Sequence, residues 1–449
     1  MARSKPRTPR LAKTRSTSRP AARRAAPKAA LAKAQRRRRL ARRKRQAPRQ
    51  ALPATFQGRP ITMVTWRGQR CAAVEGLVVR KRRTAARDAI AGASSVTSPG
   101  LRSLGLSLVA VPALERTSSR AAIARAVADA QVDGVEWAEP VLIDRISGMP
   151  SDPLVSEQWG LTAIEGEAAF DVATDTSGVL LAVLDSGLPI ESGQQSHQEL
   201  QGDRFVFGRD VVSSDDDPAD DHGHGTHVLG IAAATAGNSS GVAGLWAGNV
   251  VVIKVFDSLG AGSSVAFAEG VTAAVEFAKA RNQRLVINYS GGGPDSETKK
   301  TAMDFARDNG ALLLAAAGND FGSPIDFPAA YSPTHDNVVA VGAVDRHNAL
   351  ASFCNVGPEM NIVAPGVDII STLPNYFVTV NAEGKQTKFD RMDGTSQATP
   401  YVSAVAALIW SRQPGLSAAQ VRQKLLSAAV ALPDANVGDG MLNARKALS

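Results

Sequence analysis

The chain has 449 residues, with 51 Lys+Arg against 42 Asp+Glu and a formal charge of +9. Apolar residues make up 44%, enough for a sizeable core, which excludes wholesale disorder. The longest apolar runs, residues 178–184 and 311–317, fall far short of the ~20 residues a membrane span needs, and two cysteines, Cys71 and Cys354, exclude a disulfide framework.

The charge is unevenly placed. Residues 1–50 hold 20 Lys+Arg and no acid, residues 51–145 hold 13 Lys+Arg and 8 Asp+Glu, and residues 146–449 hold 18 and 34. The first segment, with basic runs at 36–39 and 42–45, has strong self-repulsion and little to bury, so residues 1–50 are expected to be a disordered basic tail. Its charge density suits contact with nucleic acid or another anionic surface; a solvated tail with no partner is the alternative. It lacks the apolar core of a secretory signal, so the cytoplasm is the first expectation for its compartment and secretion the second.

Residues 51–148 read as a small α+β domain. Strands are expected at 74–79, 107–111 and 135–143, and a helix at 118–130 with Ser118 or Ser119 as N-cap. Residues 147–153, rich in Gly, Pro, Ser and Asp, make a linker. From 149 to 449 the pattern changes. Short apolar runs at 179–184, 250–255, 285–289, 311–317 and 338–344 suit strands buried on both faces, and residues 264–281 and 298–309 have helical length and spacing. The alternation predicts an α/β domain of three layers, a central parallel sheet between helices, with its site at the carboxyl ends of the strands.

Three segments stand at such ends. Val183-Leu-Asp185-Ser-Gly187 puts a carboxylate where a strand leaves the sheet. Asp221-His-Gly-His224-Gly-Thr-His227-Val opens a helical stretch running through 231–235. Asp393-Gly-Thr-Ser396-Gln-Ala-Thr-Pro400 precedes the apolar segment 401–410. A serine hydroxyl needs an imidazole to take its proton, and the imidazole needs a carboxylate to fix its tautomer. A helix N-terminus under the serine directs N–H groups at a developing oxyanion. Taken singly, each segment also reads as a turn, a loop histidine or an N-cap.

Together, V-x-D-S-G, H-G-T-H-V and G-T-S-x-A-T-P in this order resemble the subtilisin family of serine proteases, closest to its thermitase-like branch, over about residues 151–449. The resemblance implies Asp185 as orienting acid, His224 as general base, Ser396 as nucleophile and Asn319, in Ala315-Ala-Ala-Gly-Asn319, as oxyanion donor. It implies an extended peptide lying between Ser290, Gly291, Gly292 and Gly293 on one side and Gly260 and Gly262 on the other, with Ala316, Ala317 and Gly318 lining the primary pocket. Relatives carry a bulky residue where Gly291 stands, so the wall there is expected to be open. Asp326 falls at the pocket floor, which favours Arg or Lys before the scissile bond.

The same resemblance implies structural Ca2+ at Asp152, Glu199, Asn238 and the carbonyls of Thr235, Ser240 and Val242, and a second site at Asp210, Asp215 and Asp217; a solvated acidic loop is the alternative for the second. Residues 51–148 resemble the family's propeptide, which inhibits the enzyme until self-cleavage, here expected between Arg145 and about Ser151. The expected function is a serine endopeptidase made as a zymogen, acting on peptide or protein substrates. A vestigial body that binds without catalysis and an enzyme with one dedicated peptide substrate are the alternatives.

Overall fold

A computed structural model describes residues 149–171 and 175–449, together with the backbone of six strands between residues 55 and 142. Those six are β1 (Thr55–Phe56), β2 (Arg59–Trp66), β3 (Gln69–Lys81), β4 (Ser94–Val96), β5 (Leu106–Ala110) and β6 (Val135–Leu142). They form one antiparallel sheet ordered β1-β2-β3-β5-β4, with β6 also paired to β3, along Ala73–Lys81. Three of them match the expected strands; β2, rich in Thr, Val and Ile, was not among them. The expected helix at 118–130 and the basic tail lie outside the described residues.

The main body is built on a seven-stranded parallel sheet, ordered β10-β11-β7-β12-β13-β14-β15. Its strands are β7 (Val179–Asp185), β10 (Phe205–Asp210), β11 (Asn249–Lys254), β12 (Arg284–Tyr289), β13 (Leu312–Ala316), β14 (Val338–Val344) and β15 (Ile362–Pro365). Two ribbons stand apart, β8 (Ile190–Glu191) with β9 (Gln194–Gln195), and β16 (Ile369–Thr372) with β17 (Phe389–Met392). The five expected strands are all present, and every residue of β7, β13 and β14 is buried, as continuous apolar runs require of a sheet covered on both faces. The two outermost strands, β10 and β15, were not expected; one carries an exposed Arg209 and the other is four residues ending in proline.

Five longer helices surround the sheet: α1 (His224–Ala233), α2 (Ser264–Ala280), α3 (Glu297–Asp308), α4 (Thr395–Arg412) and α5 (Ala418–Ser427). α1 packs on α4, and α2 on α3. α4 is buried without interruption from Thr395 to Trp410, its first turns polar and the rest mostly apolar on every side. Pro400 lies in its second turn. α1 ends at Ala233, two residues before the expected stop, because Ala234 turns extended and Thr235 N–H leaves the helix to bond Glu199 O at 3.0 Å.

β7 is the first strand of the sheet in the chain and lies third in its order, with β11 on one side and β12 on the other. The chain order reverses at this strand, and a crevice opens beyond its carboxyl end. Asp185 ends β7, Lys254 ends β11 opposite it in register, and Tyr289 ends β12. No helix among the described residues is long and apolar enough to cross a membrane.

Candidate active site

The carboxylate at the end of β7 meets the imidazole at the start of α1: His224 Nδ1 lies 2.7 Å from Asp185 Oδ1. Asp185 is fully buried, and the same oxygen accepts the Ser186 N–H at 2.8 Å. The His224 side chain keeps 19% of its surface exposed, so its other nitrogen faces the crevice. Burial pulls the His224 pKa down. The charge and hydrogen bond of Asp185, with the charge of Asp220 behind them, outweigh this and hold it above the ordinary histidine value.

α1 is held at its N-terminus by a residue that the motif reading passed over. Asp220 is 1% exposed and accepts five hydrogen bonds: from Ser186 Oγ, His222 N and Gly223 N on one oxygen, and from Thr226 N and Oγ1 on the other. Such a carboxylate satisfies the otherwise unpaired N–H groups of a first helical turn. Gly223 precedes the helix at φ 105°, and a Cβ there would lie 2.7 Å from Val380 Cγ2, so both conformation and space require glycine. Gly225 is required for closeness alone: a Cβ would come within 2.7 Å of the Gly187 backbone.

The segment between β16 and β17 grips the other side of this loop. Three successive carbonyls, of Asp220, Asp221 and His222, accept bonds from Tyr376 Oη at 2.8 Å, Thr379 N at 3.3 Å and Val380 N at 3.1 Å. His227, supporting rather than reacting, fixes β17 through Nε2–H to Asp390 O at 3.1 Å. Burial pushes its pKa down to about 3, so it is neutral.

Ser396 occupies the first turn of α4. Its Oγ donates to Ser290 O at 3.1 Å and makes no hydrogen bond to His224; the Ser290 hydroxyl returns one to Ser396 O at 3.0 Å. A buried chain runs on from there, Asn288 Nδ2 to Ser290 Oγ and Ser403 Oγ to Asn288 Oδ1, tying the end of β12 to α4. A serine rotates freely about one bond, and catalytic contacts tighten when substrate fills a site.

Asn319 follows β13. Its Oδ1 accepts from Thr395 N at 2.9 Å and Oγ1 at 3.0 Å, which leaves Nδ2 turned outward. A carbon placed on Gly394 would lie 3.4 Å from Asn319 Nδ2 and 3.5 Å from Ser396 N. Two N–H donors, neither hydrogen-bonded within the described residues, therefore border one small space beside the serine.

A cleft of about 280 Å³ is lined by Asp185, His224, Phe256, Gly260, Ser290 and Gly291, among others. Gly292 lines it too; Gly262 stands behind it against Phe256, and Gly293 lies beyond, near Lys299. The opening expected at Gly291 is filled from across the cleft. A Cβ on Gly291 would lie 2.3 Å from Phe256 Cζ, so the ring takes the place of the missing side chain. Ala316 and Ala317 are buried, and Gly318 faces Asp326.

Asp326 stands between the two walls: its Oδ2 would touch a Cβ on either Gly292 or Gly318 at 2.6 Å. The loop is fixed by Asp326 N to Ala317 O and Phe327 N to Gly293 O, both at 2.9 Å. Burial, then the charge of Asp320, raise the Asp326 pKa; Lys299 opposes them. Cys354 is buried, and its thiol is pushed up to about 11, consistent with a filler role.

The first expected Ca2+ site gathers around Glu199, which is fully buried with Oε1 unpartnered and Oε2 accepting from Asn238 Nδ2. Burial raises its pKa to about 7, and the charge of Asp152 adds to this. Asp152 accepts from Gly237 N and Ser239 N. At the second, Asp210 Oδ1 caps Val212 N and Ser213 N, and Asp215 Oδ1 caps Asp217 N, which makes a self-bonded turn. Among the described residues no group of three or more His, Cys, Asp or Glu is placed to hold a metal ion.

Residues 176–445 match the model of the subtilase family. The chain is 35% identical over 294 residues to a thermophilic serine proteinase of Bacillus sp. strain AK1, covering 65% of this chain and 66% of the relative. It is 37% identical over 293 residues to subtilisin DY of Bacillus licheniformis, covering 64% and 97%. Among solved structures, a protease from Pseudoalteromonas arctica PAMC 21717 superposes with a TM-score of 0.58 at 27% identity, covering 67% of this chain and 99% of that one. The match spans the sheet, the cleft and the segments that carry Asp185, His224 and Ser396, and the chain belongs to the subtilase family of serine endopeptidases.

Proposed function

We propose that Asp185, His224 and Ser396 hydrolyse peptide bonds through an acyl-enzyme. Ser396 Oγ attacks the scissile carbonyl while His224 Nε2 takes its proton. Asp185 holds Nδ1 and offsets the imidazolium charge. The carbonyl oxygen, now negative, is received by Asn319 Nδ2 and Ser396 N–H. Collapse breaks the C–N bond, and the leaving amine takes the proton from His224. Water then repeats the sequence on the ester and frees the serine. The observation that carries this reading is the pair of unbonded N–H donors beside a serine at a helix N-terminus, with a carboxylate-bound imidazole lining the cleft that is also lined by Ser290, the serine's hydrogen-bond partner. A fluorophosphonate should label the protein at Ser396; a folded chain that takes no label would overturn it.

Asp326 supports a preference for Arg or Lys before the scissile bond. Its half-buried carboxylate makes no hydrogen bond within the described residues, and a guanidinium or ammonium would supply one. A charge-assisted bond of ~1.5–3 kcal/mol corresponds to about 10–100-fold in kcat/KM for Arg over Leu in paired peptides. Asp326→Asn should abolish the preference, and acid should weaken it in the wild type by protonating a carboxyl whose pKa is already raised. Equal cleavage after Arg and Leu at neutral pH would rule the preference out.

Structural Ca2+ fits the Glu199 loop. The buried Oε1 lacks a partner, and the carbonyls of Thr235, Ser240 and Val242 accept no hydrogen bond within the described residues. Oxygens left unpaired inside a protein are costly, and a hard cation would pair them at once. EDTA is expected to lower the Tm by roughly 5–10 °C, the loss of ~2.7 kcal/mol of linkage. Glu199→Gln should remove that response; an unchanged Tm with EDTA would exclude the site.

Residues 51–148 are read as an inhibitory propeptide released by self-cleavage between Arg145 and about Ser151. Their net positive charge complements the acidic catalytic body, and Arg145 suits a pocket containing Asp326. The basic tail suits a polyanion, for which its composition is the support.

A further inference from the structure

A buried lysine that the reaction above does not use ends β11. Lys254 is 3% exposed and lies opposite Asp185 in the register of β7. An ammonium has three N–H donors and no acceptor. Each finds one partner here: Ser186 O at 2.8 Å, Phe256 O at 2.8 Å and Asp221 Oδ1 at 2.6 Å.

The three partners belong to three different parts of the site. Ser186 directly follows Asp185. Asp221 is in the loop that carries His224. Phe256 is the ring that closes the cleft wall at Gly291. Asp221 keeps 52% of its side chain in solvent and so does not depend on a buried cation for its own solvation. The ammonium is the desolvated partner, and a buried charge is retained only where its bonds are complete.

We propose that Lys254 is a positioning residue that sets the separation of the Asp185 turn, the His224 loop and the Phe256 wall with one point charge. The proposal rests on the assignment of Asp185 and His224 made above. Losing the tie frees the His224 loop to shift relative to Asp185, and small misplacements of reacting groups are disproportionately costly.

The charges that act directly on His224 are Asp185 from β7 and Asp220 from its own loop; Glu383, from the segment before β17, acts on the neighbouring His222, and Asp221 from the same loop pairs with Lys254 from β11. Lys254→Met leaves Asp221 uncompensated, so the acid limb of kcat/KM should move to higher pH. Asp221→Asn leaves the ammonium uncompensated, so the limb should move to lower pH. Loosened packing alone gives no reason for opposite movements.

The experiment measures fluorophosphonate labelling, kcat, KM and the pH profile of kcat/KM for the full chain and both variants. Lys254→Met is expected to label completely but more slowly, with kcat down ~10–100-fold and KM within about threefold. Asp221→Asn, whose amide oxygen can still accept, should lose less. A folded Lys254→Met with kcat within about twofold of wild type, or limbs that move in the same direction, overturns the proposal. If Lys254→Met does not fold, Asp221→Asn decides alone: an acid limb that stays or rises overturns it. A wild-type chain that takes no label would instead defeat the underlying triad assignment.

Discussion

Ser396→Ala is expected to lower kcat by about 10⁶-fold, the size of loss measured when the nucleophile is removed from subtilisin itself, and to abolish fluorophosphonate labelling. The effect is so large because the attacking atom disappears and the neighbouring hydroxyls are already engaged: that of Ser290 with Asn288 Nδ2 and Ser396 O, that of Thr395 with Asn319 Oδ1. The fold should be indifferent to the change. Ser396 Oγ makes one hydrogen bond, to the Ser290 carbonyl, and alanine keeps a good helix former in the first turn of α4. A residual rate of about 10³–10⁴ over water should survive through the two N–H donors and substrate binding. The same variant tests maturation. Mass spectrometry should find it intact from residue 1, with the junction between Arg145 and Ser151 uncut. A variant that matures normally would assign that cut to another enzyme, and one that still hydrolyses peptides at the wild-type rate would move the nucleophile elsewhere.

The second large effect is expected at Asn319. Removing one oxyanion donor costs about 10²–10³ in kcat, a range whose reference measurement was also made on subtilisin. Asn319→Ala should therefore reduce kcat by that factor while KM changes little, because the donor meets a negative oxygen that exists in the transition state and not in the bound substrate. One complication is built into the geometry. Asn319 Oδ1 also accepts from Thr395 N and Oγ1, so alanine removes an anchor of the serine helix as well as a donor. Asn319→Asp separates the two roles: it keeps the oxygen for Thr395 and replaces the donor with a second acceptor. An equal or larger loss with Asp than with Ala assigns the effect to the donor, whereas recovery of activity with Asp would assign it to the anchor.

The Phe256 ring modifies how the cleft should be used. Sequence comparison suggests a missing wall at Gly291, but the space is taken by a side chain from the opposite segment. The subsite boundary is kept while its owner changes. Gly291 is then the glycine that accommodates a ring, since any Cβ would collide with it.

Residue chemistry and spacing were sufficient to propose the catalytic constellation. Asp185, His224 and Ser396 stand in short motifs at the ends of elements whose apolar runs mark them as buried, and Asn319 comes three residues after a fully apolar strand. Five of the seven parallel strands were legible for the same reason: a strand covered on both faces is buried at every position and so reads as a near-continuous apolar run, and β7, β13 and β14 are buried throughout. The edge strands β10 and β15 were not, because an edge position tolerates Arg209 or Pro365 and so loses the signal.

Tertiary structure alone decided the residues that hold the site together. Asp220, Lys254, Phe256 and Tyr376 belong to no motif of their own. Each acts on a segment that the chain order separates from it: Lys254 on Ser186 across 68 positions, and Tyr376 on Asp220 across 156. Their functions consist of hydrogen bonds and contacts that exist only after β7 and β11 pair and the β16–β17 segment folds over the histidine loop. A linear sequence states which groups can donate, accept or react; which of them meet depends on the sheet register, and that is a property of the folded chain.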